Sequence, residues 1–295
     1  METDVTLTLR LMMLATTTCL IAAPARAEQL ELATVPRIEV DTATLNRDTI
    51  TFSGGVGYLP SYEGSNNYIA VPVAVVRGRV MGFNFSTNGL QLSVDGVRNR
   101  KGSRLDVMFG PIIGLNVNRN ARIVDPQVRA LGKLNSALQF GGFVGIGKTG
   151  VLTSAYDKIA LRVSYLRDIS GVHNSYIISP SIEYGMPISR RAYLGMSASA
   201  SFAGDGYAET YFAVDAAGSL ASGLPVFARP RGGVKSYTGS VVGNYALTGD
   251  LLRGLQLFTV ISYSQLQGDF ALSPITSIAG GADQFYGVLG IGYTF

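Results

Sequence analysis

The sequence predicts an all-β fold, a transmembrane antiparallel up-and-down β-barrel of about twelve strands, on three observations. From Ile50 to the C-terminus, segments of about ten residues alternate in hydrophobicity, with turn residues between them. The 295 residues include 36 Gly, 15 Tyr and 13 Phe, no Trp and only 15% charged residues, which suits strands and tight turns better than a helical enzyme. After residue 27 no apolar run reaches the roughly 20 residues that a membrane-spanning helix needs. Lipid cannot satisfy backbone N–H and C=O groups, so a chain crossing a bilayer on strands must close them into a barrel.

Side chains alternate sides along a strand, and each segment can be read that way. The first puts Ile50, Phe52, Val56 and Tyr58 on one face and Thr51, Ser53, Gly55 and Gly57 on the other. Tyr68 to Val76 is apolar on both faces. Met81, Phe83 and Phe85 alternate with Gly82, Asn84 and Ser86, and Leu90, Leu92 and Val94 with Gln91, Ser93 and Asp95. Leu105, Val107, Phe109, Ile113 and Leu115 face out, with Arg104, Asp106, Gly110 and Gly114 inward. Leu138, Phe140, Val144 and Ile146 follow, then Ile159, Leu161, Val163 and Tyr165 opposite Lys158, Arg162 and Ser164. Tyr176, Ile178, Ile182 and Tyr184 oppose Ser175, Ser179, Ser181 and Glu183. Leu194 to Phe202 and Tyr237 to Leu247 set apolar residues against Ser, Gly, Thr and Asn, and Leu255, Leu257, Ile261 and Tyr263 precede the last strand.

That last strand alternates from Gln284 to Phe295, with Phe285, Leu289, Ile291, Tyr293 and Phe295 on one face. Its ending, Ile291, Tyr293 and the terminal Phe295, resembles the C-terminal signal read by the barrel-assembly machinery of bacterial outer membranes. The count of twelve is even, as in bacterial single-chain barrels; merging the early strands would give eight or ten. With the N-terminus periplasmic, the short connections at 77–79, 98–102, 148–156, 187–191 and 248–254 are periplasmic turns. Those at 59–67, 116–135, 167–174, 204–233 and 266–283 are extracellular, and most are longer. Residues 87–89 are the short exception. A soluble β-sandwich also alternates, but its outer face should carry more Lys and Glu than these Leu, Ile and Tyr faces.

Residues 1–27 read as a secretory signal, with an apolar core from Leu11 to Pro24 and an A-x-A cleavage site at Ala25-Arg26-Ala27. Glu2 and Asp4 stand against Arg10, so the positive n-region is weak. The organisation expected is a cleaved signal peptide at 1–27, a periplasmic tail at 28–49 and an outer-membrane barrel at 50–295. The only cysteine, Cys19, lies in the signal, so the mature chain has no disulfide, no thiolate metal ligand and no cysteine nucleophile. The net charge of +4 is spread out, which gives no basic face for nucleic acid.

Three patterns bear on chemistry. Gly142 to Thr149 matches the G-x-x-x-x-G-K-[ST] phosphate loop, but Leu138, Phe140, Val144 and Ile146 carry a strand through it and no amphipathic helix follows. The single histidine, His173, lies near Asp168 and Ser170, and residues so close within one loop seldom supply all the roles of a hydrolytic triad. One histidine without cysteine leaves a transition-metal site without donors, and no cofactor is expected. The inward charges Arg104, Asp106, Lys158, Arg162 and Glu183 could pair into a structural network or line a passage. Loop 204–233 could fold into the space left by small Ser and Gly residues, with Asp215 capping a short helix through Ala221.

The run from Val56 through Tyr62, Glu63, Gly64, Ser65, Asn66 and Asn67 to Tyr68 resembles the first-loop signature of the MltA-interacting protein (MipA/OmpV) family. Tyr62, Gly64, Ser65 and Tyr68 carry that loop motif. Tyr211-Phe212-Ala213-Val214 with Ser222-Gly223-Leu224-Pro225, and Leu266 to Asp269 with Ser273-Pro274 and Asp283-Gln284-Phe285, resemble two further segments. The similarity runs from about Phe52 to Phe295 and departs most at 116–160. It implies a non-enzymatic outer-membrane barrel, a scaffold between a lytic transglycosylase that degrades murein and a penicillin-binding protein that makes it. A porin-like passive channel for small polar solutes is the alternative. Outer-membrane lipid and the assembly machinery are partners in either case.

Overall fold

The computed structural model describes residues 48–98, 103–120 and 122–295; the expected signal peptide and all but the end of the tail lie outside them. Twelve antiparallel strands close into one up-and-down barrel, each paired with its neighbours in sequence and β1 with β12. They are β1 (Thr49–Pro60), β2 (Tyr68–Val80), β3 (Phe83–Asn88), β4 (Gln91–Asp95), β5 (Leu105–Asn116) and β6 (Ala137–Thr149). The second half comprises β7 (Lys158–Asp168), β8 (Tyr176–Pro187), β9 (Ala192–Ala203), β10 (Gly233–Ala246), β11 (Gly254–Leu266) and β12 (Asp283–Thr294).

Period-two alternation places the faces. On β12, Leu289 is 58% exposed while Val288 beside it is 5% exposed, and the other apolar faces point out the same way. The closing seam pairs Phe52 with Tyr293 and Val56 with Leu289. It needs glycine at 290, where a Cβ would sit 2.5 Å from both the Gly54 carbonyl and the Phe258 ring.

Outward aromatics gather at the end of the barrel away from the chain termini. Tyr58, Tyr68, Phe140, Tyr165, Tyr176, Phe202, Tyr237, Tyr263 and Phe285 supply one each from β1, β2 and β6 to β12. Tyr58 stacks on Tyr68 at 5.2 Å and Tyr165 on Tyr176 at 6.1 Å. Such girdles mark the level of the headgroups, because amphipathic rings sit at the lipid–water boundary. Phe52, Tyr293 and Phe295 form part of the opposite girdle.

The first turn corrects the expectation from sequence. β2 continues through Arg77 to Arg79 and turns at Met81–Gly82, both at positive φ (54° and 86°). Gly78 and Arg79 between Arg77 and Val80 read as turn residues, but pairing with β1 and β3 holds them extended. Met81 therefore belongs to the turn and not to an outward face.

The long connections carry five short helices: α1 (Pro126–Ala130), α2 (Asp205–Phe212), α3 (Ala216–Ser222), α4 (Gly268–Leu272) and α5 (Pro274–Ser277). α3 starts where expected, with the Asp215 carboxylate accepting the Gly218 N–H at 2.6 Å, and ends on Gly223 in the left-handed region. All but α1 lie in the β9–β10 and β11–β12 loops, on the extracellular side by the loop-length rule.

Candidate functional site

The extracellular loops fold across the mouth of the lumen. The largest fully buried side chains, Tyr62, Tyr207, Tyr211, Phe212 and Phe270, come from loops and not from strands. Phe212 meets Phe270 edge to face at 5.2 Å and Tyr207 lies 4.7 Å from Tyr211, so α2 and α4 share one core. The Ser273 hydroxyl adds a 2.6 Å bond to the Phe212 carbonyl.

The loop motif locks this plug to the wall. Gly64 has a φ of +96°, and a Cβ there would sit 2.6 Å from Thr276 Oγ1. Its N–H donates to Gln284 Oε1 on β12, and its carbonyl accepts the Gly281 N–H at 2.9 Å. The Tyr62 hydroxyl reaches the Ala279 carbonyl at 3.1 Å, and Ser65 pairs with Gly280 as an isolated bridge. Tyr68 instead faces lipid, its hydroxyl accepting the Phe285 N–H. Burial, with Asp125 nearby, holds the Tyr62 phenol well above its usual range.

Beneath the plug lies a charge cluster that sequence reading missed. Lys235 and Glu63 form a 2.6 Å ion pair with side chains only 7% and 11% exposed, and Tyr207 donates to the second Glu63 oxygen at 2.7 Å. His173 is 2% exposed, and its ring sits 5.2 Å from Tyr207 and 5.8 Å from Tyr211. Its Nδ1 lies 3.2 Å from the Ser175 N–H, and its Nε2 lies 3.2 Å from the side-chain amide nitrogen of Gln139. Burial lowers the His173 pKa against the pull of Asp168, and Lys235 acts in the same direction as burial. Arg119, 4% exposed, donates to the Tyr211 carbonyl, and burial brings its pKa down to about 10. Glu63 and Lys235 lie 172 residues apart (235 − 63), and no local pattern marks such a pair.

His173 is thus a loop residue packed into the buried core of the plug. Asp168 accepts the backbone N–H of His173 at 2.7 Å and the Ser170 hydroxyl at 2.7 Å, while the imidazole faces Gln139 and Tyr207. Ser170, His173 and Asp168 therefore do not form a relay. The phosphate-loop match is strand β6 throughout, and Lys148 is exposed at its end. Among the described residues no group of three His, Cys, Asp or Glu could hold a metal.

The inward charges divide. Asp106 and Lys158 form a 2.7 Å ion pair across β5 to β7. Arg162 stacks on Phe143 at 3.8 Å. Arg162 and Glu183 line a lumen cavity of ≈ 100 Å³ together with Arg77, which the sequence reading had put in a turn. Arg104 departs from the expectation: it precedes β5 and is exposed, because the strand begins only at Leu105. A second cavity of ≈ 50 Å³ reaches up to Glu63 and Lys235 and shares Asn88, Gln91, Ser164 and Ser179 with the first.

A closed barrel with an apolar outer face, aromatic girdles and a plugged polar lumen is an outer-membrane β-barrel protein. A sequence model of the family described as MltA-interacting protein MipA matches residues 52–295. The chain belongs to that family.

Among solved structures, it is similar to an outer membrane channel from Pseudomonas putida F1 (11% identity, TM-score 0.40, covering 93% of this chain and 100% of that one). It is also similar to the translocator domain of the autotransporter NalP from Neisseria meningitidis (10%, 0.38, 87% and 92%). In-vitro folded OmpT, an outer membrane protein of Vibrio cholerae, aligns at 9% and 0.33 over 75% of this chain, which spans 60% of its length. No curated protein matches.

Proposed function

We propose that this protein is a non-enzymatic outer-membrane scaffold whose periplasmic turns hold a lytic transglycosylase, and through it a murein synthase of the penicillin-binding class. The observation that carries the reading is membership of a family described as MltA-interacting over residues 52–295. The plug supports it against a passive channel, because a mouth packed with buried Tyr and Phe offers polar solutes no path.

Two neighbouring turns suit docking. In the β6–β7 turn the buried Asp157 carboxylate accepts the N–H groups of Val151, Leu152 and Thr153 and the Tyr184 hydroxyl, at 2.6–2.8 Å. Burial opposes its charge, but these hydrogen bonds win and hold its pKa below the carboxylate range. The turn is thereby preformed, with Leu152 70% and Tyr156 59% exposed, and Ile188 of the β8–β9 turn is 63% exposed. Few apolar anchors on a rigid frame bind at low entropic cost.

The test is capture of lytic transglycosylase and penicillin-binding protein from solubilised envelope by the immobilised folded barrel, against an unrelated barrel. Enrichment that falls about tenfold, the equivalent of about 1.4 kcal/mol, in Leu152→Ser with Ile188→Ser supports the scaffold. Equal recovery on both barrels overturns it.

A further inference from the structure

Arg98, Arg104 and Lys148 are exposed and gather at the base of β5. Lys148 ends the outward series Phe140, Val144 and Ile146 of β6, so its side chain leaves the barrel on the lipid side. It pairs with Leu105, and the carbonyl of the preceding Arg104 accepts the Thr149 N–H at 2.8 Å. On the other flank of β5, the Asp95 carboxylate accepts the Val97 and Phe109 N–H groups, and the Phe109 carbonyl accepts the Gly96 N–H. Those bonds carry the chain from Gly96 to Arg98 down along β5. The Arg98 guanidinium then lies over the Phe83 ring, 4.3 Å from its centroid. Ser86 lines the lumen, so alternation along β3 puts Phe83 on the lipid side.

The cluster lies at headgroup depth. β5 begins and β6 ends where β1 begins and β12 stops, the end that carries the girdle residues Phe52, Tyr293 and Phe295. Toward the middle of the bilayer the wall beside it is apolar. Leu105, Val107 and Ile146 are 52%, 48% and 45% exposed, and Val107 pairs with Ile146. The carboxylates of the neighbouring strands and turn are occupied: Asp95 holds the chain against β5, Asp106 pairs with Lys158, and Asp157 accepts the N–H groups of its own turn. Among the described residues, Arg98, Arg104 and Lys148 enter no ion pair. The other exposed cations of this end are placed differently. Arg190 and Arg191 lie in the β8–β9 turn beyond the strands, and Arg253 shares its turn with Asp250.

Cations at headgroup level beside an apolar, lipid-facing strip suit one molecule at both ends. The guanidinium fork and the ammonium take a phosphate, and the strip takes the acyl chains. A zwitterionic head would bring its own ammonium against the same three cations, so a head with net negative charge is favoured. We infer that the outer wall at the base of β5, between Arg98 and Lys148, is a binding site for an anionic glycerophospholipid of the phosphatidylglycerol type.

The test is native mass spectrometry of the full-length barrel released from detergent with equimolar phosphatidylglycerol and phosphatidylethanolamine. Phosphatidylglycerol should be retained with about a tenfold preference. Arg98→Gln with Lys148→Gln should bring the two lipids to parity, while Arg190→Gln with Arg191→Gln should leave the preference unchanged. Heat-modifiable migration reports the fold of each variant. Independently of any variant, phosphatidylglycerol with a diazirine near the head of its acyl chain is photolysed with the unaltered protein in mixed vesicles. Leu105, Val107 and Ile146 should be labelled in excess over Leu257 and Ile291, which pair with each other on β11 and β12. Equal retention of the two lipids by the unaltered protein overturns the proposal, as does label spread evenly around the wall. Equal loss of preference in both double variants also overturns it, because the attraction would then belong to the whole rim.

Discussion

At the residue scale, the plug depends on a few buried charges. Neutralising one partner of the Glu63–Lys235 pair strands the other in a nearly dry site. Glu63→Gln is therefore expected to destabilise the barrel by about 3–5 kcal/mol. Adding Lys235→Met should recover much of that, as read from the temperature at which the band shifts on unheated gels. His173 gives a pH signature. Its folded pKa is lowered, so below the unfolded value of about 6.5 the unfolded chain binds the proton more readily. Stability should fall as pH drops through and below that value, and His173→Gln should flatten the profile. An unchanged profile would remove the imidazole from the account.

At the element scale, the strands were legible because one physical fact, lipid outside and polar lumen inside, imposes a period of two. On the last strand it sorts Leu289 from Val288 with no other information. Exposure here means lipid, so Leu289→Arg should cost about 2–4 kcal/mol although the residue is 58% exposed. Unaltered stability in lipid would mean that this face is not in the bilayer.

The β2–β3 boundary was misread because Arg77 to Arg79 has turn-like composition while its pairing is long-range. The inward-folding loop and its Asp215 cap could be foreseen from local chemistry, whereas α2, α4 and α5 are too short for any periodic signal. The motif at Tyr62, Gly64 and Ser65 was visible as a pattern, but its partners Thr276, Ala279 and Gln284 lie more than two hundred residues away. Gly64→Ala should cost more than about 1 kcal/mol, through its φ of +96° and the crowding against Thr276, and should leave the extracellular loops more open to protease.

At the scale of the whole molecule, the plug and the preformed turns divide the barrel between a sealed outer face and a periplasmic face available to partners. A scaffold and a pore need the same alternating strands, so the fold alone does not choose between them. The difference lies in the mouth of the lumen. Single-channel recording of the refolded protein in a planar bilayer tests this most directly. The plugged barrel should be silent, and Glu63→Gln with Gly64→Ala should release discrete steps. Stable steps from the unaltered protein would contradict the account and make it a channel.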